Sequence, residues 1–387
     1  SDVRDYFFDG VYNLAKKNKN ILFLTSDHTA FSLGKFEKDM PKQFINLGIS
    51  EQNIMSVRFA ILGAGRIGMV HAQAITSISA ASLIAVAEPN ESAALVVKQR
   101  FGNILRTIEE VELSDDVDAV VICTPTNTHA DLIERFSQTK KAIFCEKPID
   151  LNLNRVRQCL KTVSETETTL MVGFNRRFDP DFQSLKAAIV SGEIGNIEMV
   201  TIISRDPGAP PLDYITQSGG IFRDMTIHDF DMARWILGEE VESVLASGSV
   251  MTDPKIHEVR DFDSVNVILR THSGKQCLIS NSRRATYGYD QRIEVLGSKG
   301  MVSAGNTHEK NIEISNIKGF KKPPLLNFFM TRYEKAYAIE MAAFVEAIQN
   351  KNNPPTTGDD GLKALIIAEA ALKSVESGKK IQLNDLE

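Results

Sequence analysis

Gly63-x-Gly65-x-x-Gly68 lies between an apolar run, Arg58–Leu62, and a helical pattern that continues through Ile75. Each glycine has its own mechanical reason: a tight turn, close backbone approach to a pyrophosphate, and close helix–sheet packing. The amides that open the new helix, at Arg66 and Ile67, then face phosphate charge. Glu88 follows 20 residues after Gly68, at the end of the second strand. A carboxylate there accepts from both ribose hydroxyls of NAD and repels a 2′-phosphate, which favours NAD over NADP.

Two further strand ends carry polar chemistry. Thr124-Pro125-Thr126-Asn127-Thr128-His129 closes the run Ala119–Cys123, and Cys145-Glu146-Lys147-Pro148 closes Ala142–Cys145. Ligands of an open parallel sheet bind at the carboxyl ends of its strands, so both loops are expected to line a cofactor crevice. Thr128 also suits the cap of the next helix. Lys147 points into that crevice on this reading, and Pro148 gives the turn access to a cis peptide.

The segment from Gly219 to Leu237 reads as one helix, with Asp224, His228 and Asp231 on a single face at i, i+4 and i+7. A carboxylate one turn from a histidine can orient the imidazole and stabilise its protonated form. Metal binding is the rival chemistry. It lacks a second histidine nearby and a cysteine or glutamate at companion spacing, so no metal is expected.

The elements that position these groups change character along the chain. Arg58–Leu62, Ser82–Ala87, Ala119–Cys123 and Ala142–Cys145 are short apolar strands, separated by helical patterns at Glu91–Phe101 and His129–Thr139. Such alternation predicts an α/β fold: an N-terminal Rossmann domain, a doubly wound parallel sheet covered on both faces. After Pro148, helices are expected at Asn152–Glu165 and Asp181–Ser191. Strands follow at Ile197–Arg205, Val241–Val250, Ser264–Thr271, Gln276–Ser282, Arg292–Leu296 and Ile312–Ile317. Runs of strands like these predict a C-terminal α+β domain with an open, mostly antiparallel sheet, completed by helices at Tyr337–Ile348 and Gly361–Val375. The expected domains are residues 1–54, 55–148 and 149–387, with the last helices packing back on the Rossmann domain.

Composition narrows the partners. The 387 residues carry 44 Lys and Arg against 50 Asp and Glu, a net charge of −6, with 43% hydrophobic residues. No concentrated basic surface is available for a nucleic-acid backbone. No apolar run is long enough to span a bilayer, and Ser1–Gly10 lacks a signal-peptide pattern. Four scattered cysteines form no CxxC, so a reduced cytoplasm is the expected home.

Taken together, Gly63–Gly68, Thr124–His129, Glu146-Lys147-Pro148 and Gly219–Asp231 resemble the Gfo/Idh/MocA oxidoreductases, from about Met55 to the C-terminus. Gly173-Phe174-Asn175-Arg176-Arg177-Phe178-Asp179, Ser204-Arg205-Asp206-Pro207 and Tyr287-Gly288-Tyr289-Asp290 bring the resemblance closer to the family's myo-inositol 2-dehydrogenases. The resemblance implies NAD as cofactor, a cyclic polyol as substrate and a homotetramer built on the open sheet. It also implies catalysis by Lys147, Asp224 and His228, with substrate held by Asn175, Arg176, Asp231 and Tyr289. His228 would be the base and Asp224 its orienting partner. Oxidation of another sugar or sugar nucleotide is the alternative. A non-catalytic dinucleotide-sensing protein is the alternative of another class, disfavoured because lysine, aspartate and histidine are all present.

Residues 1–54 stand apart. Asp5–Lys17 reads as an amphipathic helix, and Asn20–Ser26 and Gln43–Gly48 as short strands. Two short apolar runs make a thin core, so loose docking or partial disorder is expected. Phe44–Asn53 is similar to the start of a transketolase pyrimidine-binding domain, with Glu51 at the thiamine-activating position. The rest of that domain is missing, which makes thiamine chemistry implausible. Met55 is a natural start for the dehydrogenase, and 1–54 is expected to be a dispensable fused remnant.

Overall fold

The computed structural model of the protein describes residues 2–25, 35–36, 38–46 and 56–386. The chain divides into two compact units, Ser1–Val57 with Ile78–Ser82, and Arg58–Ser77 with Leu83–Glu387. The Ser50–Asn53 motif lies outside the described residues.

In the first unit, helix α1 (Asp2–Lys17) accompanies a parallel pair, β1 (Phe23–Thr25) and β2 (Phe44–Asn46), in register Phe23↔Phe44. Tyr12, Ala15, Phe36 and Phe44 form its small core. The Gln43 amide donates to the carbonyls of Ala15, Asn18 and Ile21, which satisfies the end of α1 and the turn after it.

The second unit opens on a parallel sheet, all but the first residues of β3 and β4 within it, of β3 (Val57–Leu62), β4 (Ala81–Ala87), β5 (Ala119–Ile122), β6 (Ala142–Glu146) and β7 (Leu170–Gly173). Its strand order is β4-β3-β5-β6-β7, so the sheet runs outward in both directions from β3. Central strands are buried along both faces, as their unbroken apolar sequences require. The crossovers carry α2 (Arg66–Thr76), α3 (Glu91–Phe101), α4 (Ile108–Leu113), α5 (His129–Ser137) and α6 (Leu153–Glu165). Asn90, Thr107 and Asn152 cap α3, α4 and α6 by accepting first-turn amides. The sheet continues past Pro148, because β7 pairs in parallel with β6 through Glu146↔Gly173.

Beyond it come α7 (Pro180–Val190), β8 (Ile197–Arg205), α8 (Leu212–Ser218), α9 (Ile221–Asp224) and α10 (Ile227–Leu237). The helix expected over Gly219–Leu237 is therefore broken. Gly219 and Gly220 take positive φ, +81 and +85, and end α8. Asp261 then accepts from Ile221 N to start α9. At Met225–Thr226 the ladder slips, with Thr226 N bonded to Ile221 O, before α10 restarts.

Strands β9 (Val241–Ser249), β10 (Ser264–Thr271), β11 (Gln276–Ser282), β12 (Asp290–Gly297) and β13 (Gly300–Ala304) join β8 in one sheet. An exposed hairpin follows, β14 (Ile314–Asn316) and β15 (Gly319–Lys321). The chain ends with α11 (Phe329–Arg332), α12 (Glu334–Asn350), α13 (Gly358–Ser377) and the short edge strand β16 (Ile381–Gln382). The order is β13-β12-β8-β11-β10-β9-β16, antiparallel except between β8 and β11. Helix α12 packs on α2 and α13 on β9 and α10. Among the described residues, no helix is long and apolar enough to cross a membrane.

Candidate active site

The glycine-rich loop separates three roles that one motif combines. Gly63 has φ +89, and a Cβ there would lie 2.8 Å from the Cys123 carbonyl oxygen. A Cβ on Gly68 would meet the Gly63 carbonyl oxygen at 2.0 Å. Over Gly65 nothing stands within 4 Å. That open space before the first turn of α2, with the amides of Arg66 and Ile67 behind it, fits a dinucleotide pyrophosphate. Glu88 sits beside the loop: its Oε2 accepts from Ala64 N at 2.6 Å and its Oε1 from Asn90 N at 2.8 Å. The Arg66 guanidinium lies 6.0 Å from the Phe328 ring centroid.

Thr124 and Thr128 join hydroxyls at 2.6 Å after β5, with Pro125 and Asn127 exposed between them. His129 does not face this crevice. It is buried, with one nitrogen 2.8 Å from the Thr124 carbonyl and the other 2.8 Å from the Pro148 carbonyl. Burial lowers its pKa, against the pull of those two carbonyls. His129 thus clamps one strand-end loop to the next, with both ring nitrogens committed to main-chain carbonyls. Glu146 departs from expectation likewise. Side chains alternate at a strand end, so its carboxylate turns inward to His71 Nε2 at 2.7 Å while Lys147 turns the other way. The Lys147–Pro148 bond is cis.

Lys147 reaches across to the broken helix. Its Nζ donates to the Asp224 carbonyl at 2.7 Å and lies 3.4 Å from Asp224 Oδ1. The Asp224 carboxylate also accepts from the Tyr214 hydroxyl at 3.0 Å and stands 3.7 Å from Arg283 Nη1. With these partners, and with the ladder broken between them, Asp224 makes no described hydrogen bond to His228. The expected Asp224–His228 pair is replaced by an Asp224–Lys147 pair.

His228 is half-buried on α10, its ring edge-on to Phe174 at 6.3 Å between centroids. Its Nδ1 is enclosed without a partner. Burial, then the charges of Lys147 and Arg176, hold its imidazole well below the ordinary pKa. The Lys147 charge thus disfavours protonation of the His228 imidazole.

The residues expected to hold substrate divide. Tyr289 and Asn175 are buried, Tyr289 edge-on to Tyr333 at 6.0 Å. Arg176 is buried, with Nη1 bonded to Asp229 Oδ1 at 2.5 Å and Ser204 Oγ at 2.9 Å, so much of its guanidinium is committed internally. Asp231 is turned away altogether. It is 1% exposed and chelates Arg177 through 2.8 and 2.5 Å bonds, with Asp360 on the same guanidinium. Its position on α10 points it at the Gly173–Asp179 turn, not at the cleft.

Sequence reasoning missed Tyr214, Arg283 and the role of Asp206. Arg283 is 1% exposed and lies between Asp224 and Asp261, 3.5 Å from the latter. Asp206 follows β8, its carboxyl raised to about 6 by burial and by Asp224 and Asp229, against Arg176 and Arg283. It stood in a motif quoted for resemblance, and strand-end charges are otherwise most often solvated. Among the described residues, no group of three His, Cys, Asp or Glu could hold a metal ion.

Comparison with known proteins follows the same division of the chain. Residues 57–174 match the profile of an oxidoreductase family with an NAD-binding Rossmann fold, and residues 182–303 match the GFO/IDH/MocA C-terminal domain. The inositol 2-dehydrogenase of Rhizobium meliloti is 59% identical over 329 residues, 85% of this chain and all of that protein. A myo-inositol dehydrogenase structure from Corynebacterium glutamicum is 42% identical, with TM-score 0.82 over 85% of this chain and 99% of that one. The Lactobacillus casei scyllo-inositol dehydrogenase, solved with bound NAD(H) and scyllo-inositol, is 27% identical, with TM-score 0.79 over 85% and 99%. The resemblance of the first residues to a transketolase fragment is not borne out: the first profile begins at residue 57, and the Rhizobium protein is covered in full without the rest of this chain.

Proposed function

The chain belongs to the GFO/IDH/MocA family of NAD-binding oxidoreductases, and from that premise we propose that it oxidises myo-inositol at C2, giving 2-keto-myo-inositol with NAD as the oxidant. This reading is supported by Lys147 held on Asp224, one helical turn in sequence before the uncharged His228, and by the open space over Gly65 at the start of α2. The 59% identity to an inositol 2-dehydrogenase supports the choice of polyol.

Gly63, Gly65, Gly68 and the α2 amides hold the coenzyme's pyrophosphate, Thr124, Pro125 and Asn127 line its crevice, and Glu88 takes the adenosine ribose. NAD, when bound, accepts the hydride released from the oxidised carbon. His228, kept uncharged, takes the hydroxyl proton as that carbon becomes a ketone. Lys147 donates to the same oxygen and stabilises its developing negative charge. Asp224 fixes the ammonium by its carbonyl and carboxylate, and Tyr214 and Arg283 fix Asp224 in turn. Asn175, Tyr289 and the free edge of Arg176 contact the polyol hydroxyls.

A homotetramer in the cytoplasm completes the reading. The outer face of the large sheet exposes Met199, Leu245, Ile268, Leu278, Leu296 and Met301, with Ile268 paired to both Leu245 and Leu278. Such a contiguous apolar face is a subunit interface by its chemistry. All four cysteines are free and buried, in keeping with a reducing compartment. The deciding experiment is absorbance at the reduced-nicotinamide band with NAD or NADP against inositols, glucose and sugar nucleotides. Turnover with NAD and myo-inositol is expected. Faster turnover with a sugar nucleotide would overturn the substrate.

A further inference from the structure

His71 lies on α2 with no exposure, its ring edge-on to Phe144 at 4.9 Å and to Tyr337 at 5.5 Å between centroids. Its Nε2 bonds Glu146 Oε1, and its Nδ1 is buried without a partner. The Glu146 carboxylate is packed against Gly173, where an added Cβ would come within 3.2 Å of it. Three residues after Tyr337, on the buried face of α12, stands Glu340, 0% exposed with both carboxyl oxygens unpartnered.

These groups complement one another chemically. In the tautomer that donates from Nε2 to the Glu146 carboxylate, His71 Nδ1 is a bare acceptor. Burial holds the Glu340 carboxyl well above the usual range, and the negative charges of Glu146 and Asp231 push the same way, so it keeps its proton. The result is a donor short of an acceptor and an acceptor short of a donor, both buried beside Tyr337. Buried polar groups almost always find partners, and an apolar side chain would fill position 340 at lower cost. A carboxyl retained there calls for a role.

We infer that Glu340, His71 and Glu146 form a buried hydrogen-bonded relay that positions Lys147. Glu340 donates to His71 Nδ1 through one buried water, and His71 donates to Glu146. Glu146 in turn fixes the strand end from which Lys147 reaches Asp224. Because His71 sits on the helix that begins at the glycine loop, the relay also ties the phosphate-binding helix to the lysine-bearing strand. All three are positioning residues. The titratable groups around Glu146 are His71 from α2, Tyr337 and Glu340 from α12, Cys123 beyond β5, Cys145 on its own strand, and His129 on α5. Burial raises the pKa of Cys123, Cys145 and Tyr337 and lowers that of His129, so none of these four adds a charge at Glu146.

The role of the relay rests on Lys147 acting in the proposed reaction, so two readouts are needed. Glu340→Gln keeps an N–H donor of the same length, while Glu340→Met fills the space without one. In NAD reduction with myo-inositol, Glu340→Met is expected to lower kcat about tenfold and Glu340→Gln no more than about threefold. In Glu340→Met the KM for NAD should stay within about twofold, and the pH profile of kcat should move by about half a unit or more. Wild-type kcat and profile in Glu340→Met would overturn the relay. The second readout needs no substrate: the ¹⁵N resonances of His71 in the full chain, identified by their loss in His71→Gln. The Nδ1 signal should shift in Glu340→Met and return toward its place in Glu340→Gln. An unmoved signal overturns the relay whatever the substrate, while a shifted signal in a protein inert toward polyols would fault the substrate assignment alone.

Discussion

Lys147 donates to the carbonyl of Asp224 at 2.7 Å and stands 3.4 Å from its Oδ1, with both side chains about seven-eighths enclosed at 13% and 14% exposure. The contact joins the end of β6 to the end of α9, so one ion pair sets the distance between the parallel sheet and the broken helix. An enclosed ammonium held this way is aimed, which is what stabilising a developing alkoxide requires.

Removing the ammonium should therefore strike the chemical step. Lys147→Ala is expected to lower kcat by about 10²–10⁴-fold while the Kd for NAD changes little. Asp224→Asn keeps the main-chain acceptor and loses only the charge, so its loss in kcat should be smaller than that of Lys147→Ala. Stopped-flow kinetics with NAD binding by fluorescence separates the two effects. A Lys147→Ala enzyme with near-normal kcat would remove lysine from the mechanism.

The glycine loop offers a cleaner separation. Gly65→Ala meets nothing within 4 Å, whereas Gly63→Ala combines φ +89 with a contact 2.8 Å from the Cys123 carbonyl oxygen. Gly65→Ala should keep its melting temperature within a degree or two, and raise the KM for NAD on the order of tenfold by occupying the pyrophosphate's space. Gly63→Ala should lose about 1–3 kcal/mol of stability through backbone strain. Denaturant melts beside NAD titrations decide it; unchanged NAD affinity in Gly65→Ala would put the phosphates elsewhere.

What the sequence revealed, and what it hid, follows the range of each interaction. Gly63, Gly65, Gly68 and Glu88 are legible because their demands are local: a turn, a close approach and a charge at a strand end. The alternation of apolar strands and helices is equally local, and it fixes the parallel sheet. The helix over 219–237 is misread because its apolar rhythm runs on through Met225–Thr226. What starts α9 is the Asp261 carboxylate on Ile221 N, an interaction 40 residues away. His129, Glu146 and Asp231 look like ligand contacts in sequence, yet their partners are the Pro148 carbonyl, His71 and Arg177. Glu340 gives no signal at all, since a glutamate on a helix is ordinarily solvated.

The depressed His228 pKa carries a pH signature. Burial first, then Lys147 and Arg176, keep the folded imidazole uncharged well below its ordinary value of 6.5. Activity limited by this base should accordingly persist below pH 6.5, with the acid limb of kcat/KM displaced downward. Stability carries the matching sign. Below pH 6.5 the unfolded chain binds a proton at this site and the folded chain does not, so His228 makes stability fall as pH falls. His228→Asn should flatten that part of the pH–stability curve and cut kcat heavily. A kcat/KM limb at or above 6.5 that survives in His228→Asn would assign the titration to another group.

Asp231 provides the test that separates scaffold from site. Its carboxylate is 1% exposed and chelates Arg177, which also meets Asp360 at 2.9 Å, and Asp360 meets Arg234 at 3.1 Å. Removing Asp231 takes two bonds from the buried Arg177 guanidinium and leaves it Asp360, at a cost on the order of the 3 kcal/mol seen when a buried pair is broken. Asp231→Ala should thus lower the urea midpoint sharply, with loss of activity following loss of fold. In Asp231→Ala, Arg177→Met the buried cation left with Asp360 as its one carboxylate partner is gone, and part of that stability should return. The opposite pattern, an unshifted midpoint with a raised KM for myo-inositol, would return Asp231 to the substrate pocket. The buried geometry predicts the first pattern, because a carboxylate already holding two guanidinium nitrogens has little left to offer a hydroxyl.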